Sequence, residues 1–159
     1  MRLAIGNDHS AVDMKQEIMA YLRNLGHEVI NVGTDAYENC DAQIYGFLVA
    51  RMIAEGQAEG GILICGTGVG ISLAANKLKG IRAALCSDPL SARLARQQLN
   101  ANIIAFGARV VGVEKAKMIV EQWLSAEYQP PGNQSALDKI REIEETQHLE
   151  AVGEKEYES

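Results

Sequence analysis

Gly60-Gly61-Ile62-Leu63-Ile64-Cys65 is an apolar run without a charge, and Gly66-Thr67-Gly68-Val69-Gly70 follows it directly. Such a run reads as a strand buried on both faces, and the alternating glycines as the turn that leaves it. Apolar residues return at helical spacing over residues 70–78, so the segment is strand, glycine-rich turn and helix. The same unit repeats outward in both directions. Residues 2–6 form a short apolar strand, and residues 10–25 an amphipathic helix carrying Val12, Ile18, Met19, Leu22 and Leu25, with Gly26 as its stop. Residues 28–33 are a strand, and residues 42–55 a helix with Phe47, Leu48, Ala50, Met52 and Ile53 on its inner side. On the other flank, strands over 81–86 and 102–106 alternate with helices over 89–99 and 113–125.

Five strand–helix units with continuously apolar strands require a parallel sheet covered on both faces. Right-handed crossovers then give an α/β fold: a Rossmann-like, doubly wound three-layer sandwich with a five-stranded parallel sheet. Tyr128-Gln129-Pro130-Pro131-Gly132 ends the alternation, which divides the chain into a sheet domain, residues 1–132, and a C-terminal tail, residues 133–159. In the tail, Leu137, Ile140 and Ile143 give an otherwise charged helix over about 135–145 one thin apolar stripe. A helix of that kind must dock on its own domain or, as expected here, on a partner subunit. Residues 151–159 are expected to fray.

The chain has 159 residues, 47% of them hydrophobic and 23% charged, the profile of one globular domain with a real core. No stretch approaches the roughly 18–20 apolar residues of a membrane span, and Gly6-Asn7-Asp8-His9 interrupts the N-terminus too early for a signal peptide. A cytoplasmic location and no membrane partner are therefore expected. The net charge of −6 is concentrated in the tail, where residues 133–159 carry −5 and the rest of the chain only −1. With no basic footprint, nucleic acid is not an expected partner. Cys40, Cys65 and Cys86 are odd in number and read as free thiols.

Ligands of open parallel sheets bind beyond the carboxyl ends of the strands. That selects Asn7-Asp8-His9, Gly33-Thr34-Asp35, Cys65 to Gly70, Ser87-Asp88 and Gly107-Ala108-Arg109. After Cys65 the backbone N–H groups can form an anion-binding nest at a helix N-terminus. The glycine spacing is not the dinucleotide G-x-G-x-x-G, and Ile71-Ser72 stands where a Walker lysine would be. No nucleotide cofactor is expected. Cys65 at the lip of this loop is a candidate base or nucleophile, against the alternative of a small buried hydrophobe ending a strand. Cys86 reads as a packed thiol and Cys40 as incidental. Asp8 and His9 are placed to bind sugar hydroxyls or move protons between oxygens, and Asp8 also to cap the first helix. His27 and His148 are not site candidates, and no metal site is expected.

Asp8-His9, Gly33-Thr34, Ile64-Cys65-Gly66-Thr67-Gly68-Val69-Gly70-Ile71-Ser72, Ala74-Ala75-Asn76-Lys77, Gly80-Ile81-Arg82-Ala83 and Phe106 to Gly112 together resemble the ribose-5-phosphate isomerase B and galactose-6-phosphate isomerase family over residues 1 to about 128. The resemblance implies cofactor-free interconversion of aldose and ketose phosphates through a cis-enediolate, in homodimers or tetramers with shared sites. It implies Cys65 as the base moving a proton between C1 and C2, with Thr67 assisting at the neighbouring oxygen. The backbone of Gly66, Gly68, Val69 and Gly70 would hold the enediolate oxygen. Asp8 and His9 match ligand-binding positions, and Arg109 a phosphate-contacting arginine offered from the partner subunit.

Three departures stand out. Gln98-Leu99 lies where ribose-type members carry a histidine and asparagine for ring opening and substrate binding. Ala42 and Ile44 replace the usual tyrosine and histidine after Asp41, and the phosphate-clamping arginines are absent around residues 132–136. Leu99-Asn100-Ala101-Asn102, Ala126-Glu127-Tyr128 and the acidic extension resemble B-type subunits of heteromeric galactose-6-phosphate isomerases, whose A-type partner supplies the missing groups. A homomeric isomerase, a catalytic subunit with an A-type partner and, well behind, a non-catalytic sugar-phosphate sensor are the readings carried forward.

Overall fold

The computed structural model describes residues 1–146. Strand β1 (Arg2–Asn7) passes through a single 3₁₀ turn (His9–Ala11) into α1 (Val12–Asn24). Then come β2 (Glu28–Asn31), α2 (Ala42–Ala54), β3 (Gly60–Cys65), α3 (Val69–Ala75), β4 (Ala83–Leu85), α4 (Pro89–Leu99), β5 (Ile103–Gly107), α5 (Val113–Ser125) and α6 (Gln134–Thr146). The strands form one five-stranded sheet in the order β2-β1-β3-β5-β4, every pair parallel. The expected five-stranded parallel sheet with helices on both faces is the observed one. The expectation for residues 151–159 lies outside the described residues.

Successive strand side chains point to opposite faces, so each strand feeds two cores. Leu3, Ile5, Ile62, Ile64, Ile104 and Phe106 pack with Ile18 and Leu22 of α1 and with Ile119 and Trp123 of α5. The alternate residues Ala4, Leu63, Cys65, Ile103 and Ala105 pack with Val49 and Ala50 of α2 and Ile71 and Ala75 of α3. The order of strands reverses direction between β1 and β3, and the crevice above that point is where the sheet offers room for a ligand.

Several elements end earlier than their apolar runs. The helix expected to Leu78 stops at Ala75 because the Asn76 side chain turns to β4, accepting from the Ala83 N–H at 2.8 Å and donating to its carbonyl at 2.9 Å. The strand expected over 81–86 shrinks to Ala83–Leu85, since the Arg82 guanidinium turns away to the carbonyls of Leu99 and Asn100 at the end of α4. Phe47, expected on the inner side of α2, is exposed, and so is Leu25 at the end of α1. At Phe47 apolar character alone is misleading, because α2 turns Val49 and Ala50 to the sheet and leaves Phe47 beside Arg51, while Leu25 lies past the last turn of α1.

Helix α6 lies on its own chain. Leu137 is enclosed, the Gly80 N–H donates to Glu144 at 3.0 Å, and Lys79 faces Glu145 at 3.9 Å, while Ile143 remains exposed. No described helix is long and apolar enough to cross a membrane.

Trp123 closes the larger core. Its indole N–H donates to the Ala101 carbonyl at 2.9 Å, and the Arg96 guanidinium stands 5.2 Å from its ring. Trp123→Ala should cost about 3–5 kcal/mol, read as a lowered urea midpoint with an unchanged slope.

Candidate active site

The site grows from three parallel strand ends. Asn7 of β1 stands opposite Ile64 of β3, and Cys65 of β3 opposite Gly107 of β5. One residue further, the Asp8 N–H donates to the Ile64 carbonyl at 3.3 Å, so Asp8-His9 and Cys65 emerge side by side. They open onto a cavity of about 320 Å³. Of the residues expected there, Asp8, His9, Cys65, Gly66, Thr67, Gly70 and Arg109 line it.

The loop after Cys65 is bent back on the sulfur. Gly68 sits at φ +81, the left-handed region, and its N–H donates to Cys65 Sγ at 3.1 Å. A Cβ on Gly68 would stand 2.6 Å from Leu85 Cδ1 and 2.8 Å from the Phe106 backbone. The Thr67 hydroxyl accepts from the Val69 N–H at 3.2 Å and caps the start of α3. Gly68 and Val69 were expected to offer their N–H groups to a ligand alongside Gly66 and Gly70. The Gly68 N–H is bonded to the sulfur and the Val69 N–H to the Thr67 hydroxyl, and Gly66, Thr67 and Gly70 are the loop residues that line the cavity.

Asp8 does cap the first turn: its Oδ1 accepts from the Ser10 N–H at 3.0 Å and from the Ser10 hydroxyl at 2.6 Å. His9 Nδ1 receives the Cys40 backbone N–H at 3.2 Å. Arg109 stands at the end of β5, beside the cysteine loop. It lines the cavity of its own chain, its N–H donating to the Gly66 carbonyl at 3.0 Å and its side chain lying beside Gly66. Among the described residues no carboxylate is in ion-pair reach of its guanidinium.

Ser10, Cys40, Asp41, Ala42 and Gln43 complete the lining. The strand-end rule stopped at Asp35 and missed the end of the same connection, where residues 40–43 come back over the site. Cys40, read as incidental, is a wall of the cavity. Among the described residues no three of His, Cys, Asp or Glu are grouped so as to hold a metal ion.

A family model described as ribose/galactose isomerase matches residues 3–140. The chain belongs to that family. Ribose-5-phosphate isomerase B of Escherichia coli is 51% identical over 144 residues, covering 91% of this chain and 97% of that protein. Galactose-6-phosphate isomerase subunit LacB of Clostridium acetobutylicum is 44% identical over 144 residues, with 90% and 83% covered. The solved ribose-5-phosphate isomerase B of Clostridium thermocellum superposes with a TM-score of 0.91 at 44% identity, covering 93% of this chain and all of that one. Membership makes the protein an enzyme of the sugar-phosphate isomerase class. Within this isomerase, Gln98 is exposed on α4 and does not line the cavity, and no arginine stands between residues 132 and 136.

A second thiol, Cys86, follows the end of β4. Burial first, and then Asp88, push the Cys86 thiol from 9.0 up to about 11. Its neutral form is the one the fold holds, so this contribution to stability is intact below pH 9 and is lost as pH rises toward 11. Urea midpoints across that interval should fall, and Cys86→Ala should flatten the part of the fall that this thiol causes.

Proposed function

We propose that this isomerase interconverts an aldose phosphate and its ketose, with Cys65 as the base. Cys65 Sγ takes the proton from C2 of the open-chain aldose and returns it to C1, while the Thr67 hydroxyl passes a proton between the two oxygens. The intermediate is a cis-enediolate, both oxygens on one side, held by the N–H groups of Gly66, Thr67 and Gly70. Fixed donors aimed at a developing oxyanion usually lower the barrier of such a reaction more than any other single effect. The Arg109 guanidinium takes the phosphate, and Asp8 and His9 take sugar oxygens. The observation that carries this is Cys65 Sγ lining the cavity and facing a backbone donor, with loop N–H groups around it and a guanidinium that has no carboxylate partner among the described residues. No step calls for a metal or a nucleotide.

Assembly is part of the proposal. Ile44 and Phe47 on α2 and Val69 and Leu73 on α3 are exposed next to the cavity residues Gln43 and Gly70. A homodimer or tetramer that covers them would close the site. A second reading, a B-type subunit with an A-type partner, is favoured by the position of Gln98, which cannot titrate near neutrality and so cannot open a sugar ring by proton transfer. The exposed side of α6 around Ile143 would then meet the partner subunit. The sensor reading falls behind both, because a sensor has no use for a thiol faced by loop donors. The three free cysteines accord with a cytoplasmic location.

A panel of five- and six-carbon sugar phosphates, assayed with purified protein in EDTA, tests the reaction. Turnover should be near 1–10³ per second for a homomeric enzyme; slow turnover raised sharply by an A-type subunit supports the heteromer. Cys65→Ala should lower kcat by about 10³-fold or more, with Cys65→Ser nearly as slow and both variants folded. Activity of Cys65→Ala within a few fold of wild type, or turnover lost to EDTA and restored by a divalent ion, overturns the assignment. A monomer at micromolar concentration overturns both forms of assembly.

A further inference from the structure

His9 is tied into the site through one nitrogen, and the identity of that partner constrains the other. Nδ1 has three neighbours: the Cys40 backbone nitrogen at 3.2 Å, Cys40 Sγ at 3.8 Å and Asp8 Oδ2 at 3.9 Å. A backbone amide can only donate, so Nδ1 must present its lone pair to Cys40. The carboxylate that would favour a proton on Nδ1 is beyond hydrogen-bond distance, and its other oxygen is taken by Ser10. A neutral ring that accepts at Nδ1 carries its one proton on Nε2. An imidazolium would set N–H against N–H at Cys40.

We propose that His9 works as a neutral imidazole whose Nε2–H donates to an oxygen of the reacting carbon pair, its tautomer fixed by the Cys40 backbone N–H. The inference deepens the isomerase reading and rests on it. His9 follows Asp8, whose N–H is bonded to the Ile64 carbonyl, and Cys65 is the next residue on β3. Imidazole and sulfur therefore open onto the same cavity from adjoining strand ends. A neutral donor already aimed at the carbonyl stabilises the charge that develops as Cys65 removes the proton. It does so without surrendering its own proton to the enediolate, which would then have to be recovered before the next turnover. In this scheme Cys65 moves the carbon-bound proton, Thr67 the oxygen-bound one, and His9 none.

Two measurements test it. In the wild-type protein, nitrogen NMR of labelled imidazole should show His9 protonated on Nε2 and bare on Nδ1 at neutral pH. Kinetics of His9→Leu and His9→Gln then separate a donor from an acid. Leucine removes the donor and should lower kcat by about 10²–10³-fold with KM little changed. Glutamine keeps a neutral N–H and should stay within about tenfold of wild type. A proton on Nδ1, equal losses in the two variants, or a loss confined to KM overturns the proposal. A wild-type protein inactive on every sugar phosphate, both alone and with an A-type subunit, would instead overturn the isomerase reading, and the NMR would still decide the tautomer.

Discussion

With β1 and β3 parallel and Asn7 set opposite Ile64, two strands finish at one level, and whatever follows each of them must share the same space. The Asp8 N–H extends that pairing one residue past the strand, onto the Ile64 carbonyl. Because β5 continues the ladder with Gly107 opposite Cys65, the third loop joins at the same height. The thiol, the imidazole and the guanidinium come from residues 65, 9 and 109, far apart in sequence, yet no flexible segment is needed to assemble them. Register alone brings them together.

That convergence leaves little room, and glycine provides it. At Gly107 a Cβ would fall 2.7 Å from the Gly66 carbonyl oxygen and from Thr67, so the cysteine loop can lie on the end of β5 only without a side chain there. Gly68 meets the same crowding from Leu85 and Phe106 and also needs its left-handed φ. The two constraints act on one loop from opposite sides. They force the Gly68 N–H back onto Cys65 Sγ and let Arg109 close over Gly66.

This explains what could be read in the chain and what could not. Strands β1, β3 and β5 are continuous apolar runs whose burial follows from composition, and Asp8, His9, Cys65 and Arg109 follow from the rule that loops at strand ends carry ligands. Helices α4 and α5 begin and end at the expected residues, where Asp88 with Pro89 and Gly112 mark their starts. The crowding that keeps a side chain off Gly68 was not legible, because it comes from a residue on another strand, Leu85 of β4. That the Arg109 side chain lies beside Gly66 was not legible either, because a sequence motif carries no information about which loop a neighbouring loop rests on. Cys40 escaped notice for a related reason: its role lies in its backbone N–H, which any residue but proline supplies.

The connection that carries that N–H is fastened near its start by a buried cation. Lys15 of α1 has no exposed surface, and its ammonium group donates to the Thr34 carbonyl at 2.6 Å and to Asp35. Lys15, together with Asn31 and Gln16, holds the Asp35 carboxyl below the usual carboxylate range. Burying an ammonium group is costly unless it is paired and hydrogen-bonded, and both conditions are met here by one short stretch of chain. The Asn7 amide donates to the same Thr34 carbonyl at 3.0 Å and to the Asp8 carbonyl at 2.8 Å. The Thr34 carbonyl is thus the point where α1, the end of β1 and the connection to α2 are fastened together. From there the connection runs to Cys40, whose N–H reaches His9, and Tyr37 adds a further tie to Asp13 of α1 at 2.6 Å. An apolar residue at position 15 would pack without a desolvation cost, but it could not fix the Thr34 carbonyl. The lysine fastens the connection to α1 and the end of β1, with the cost of its burial offset inside the same network.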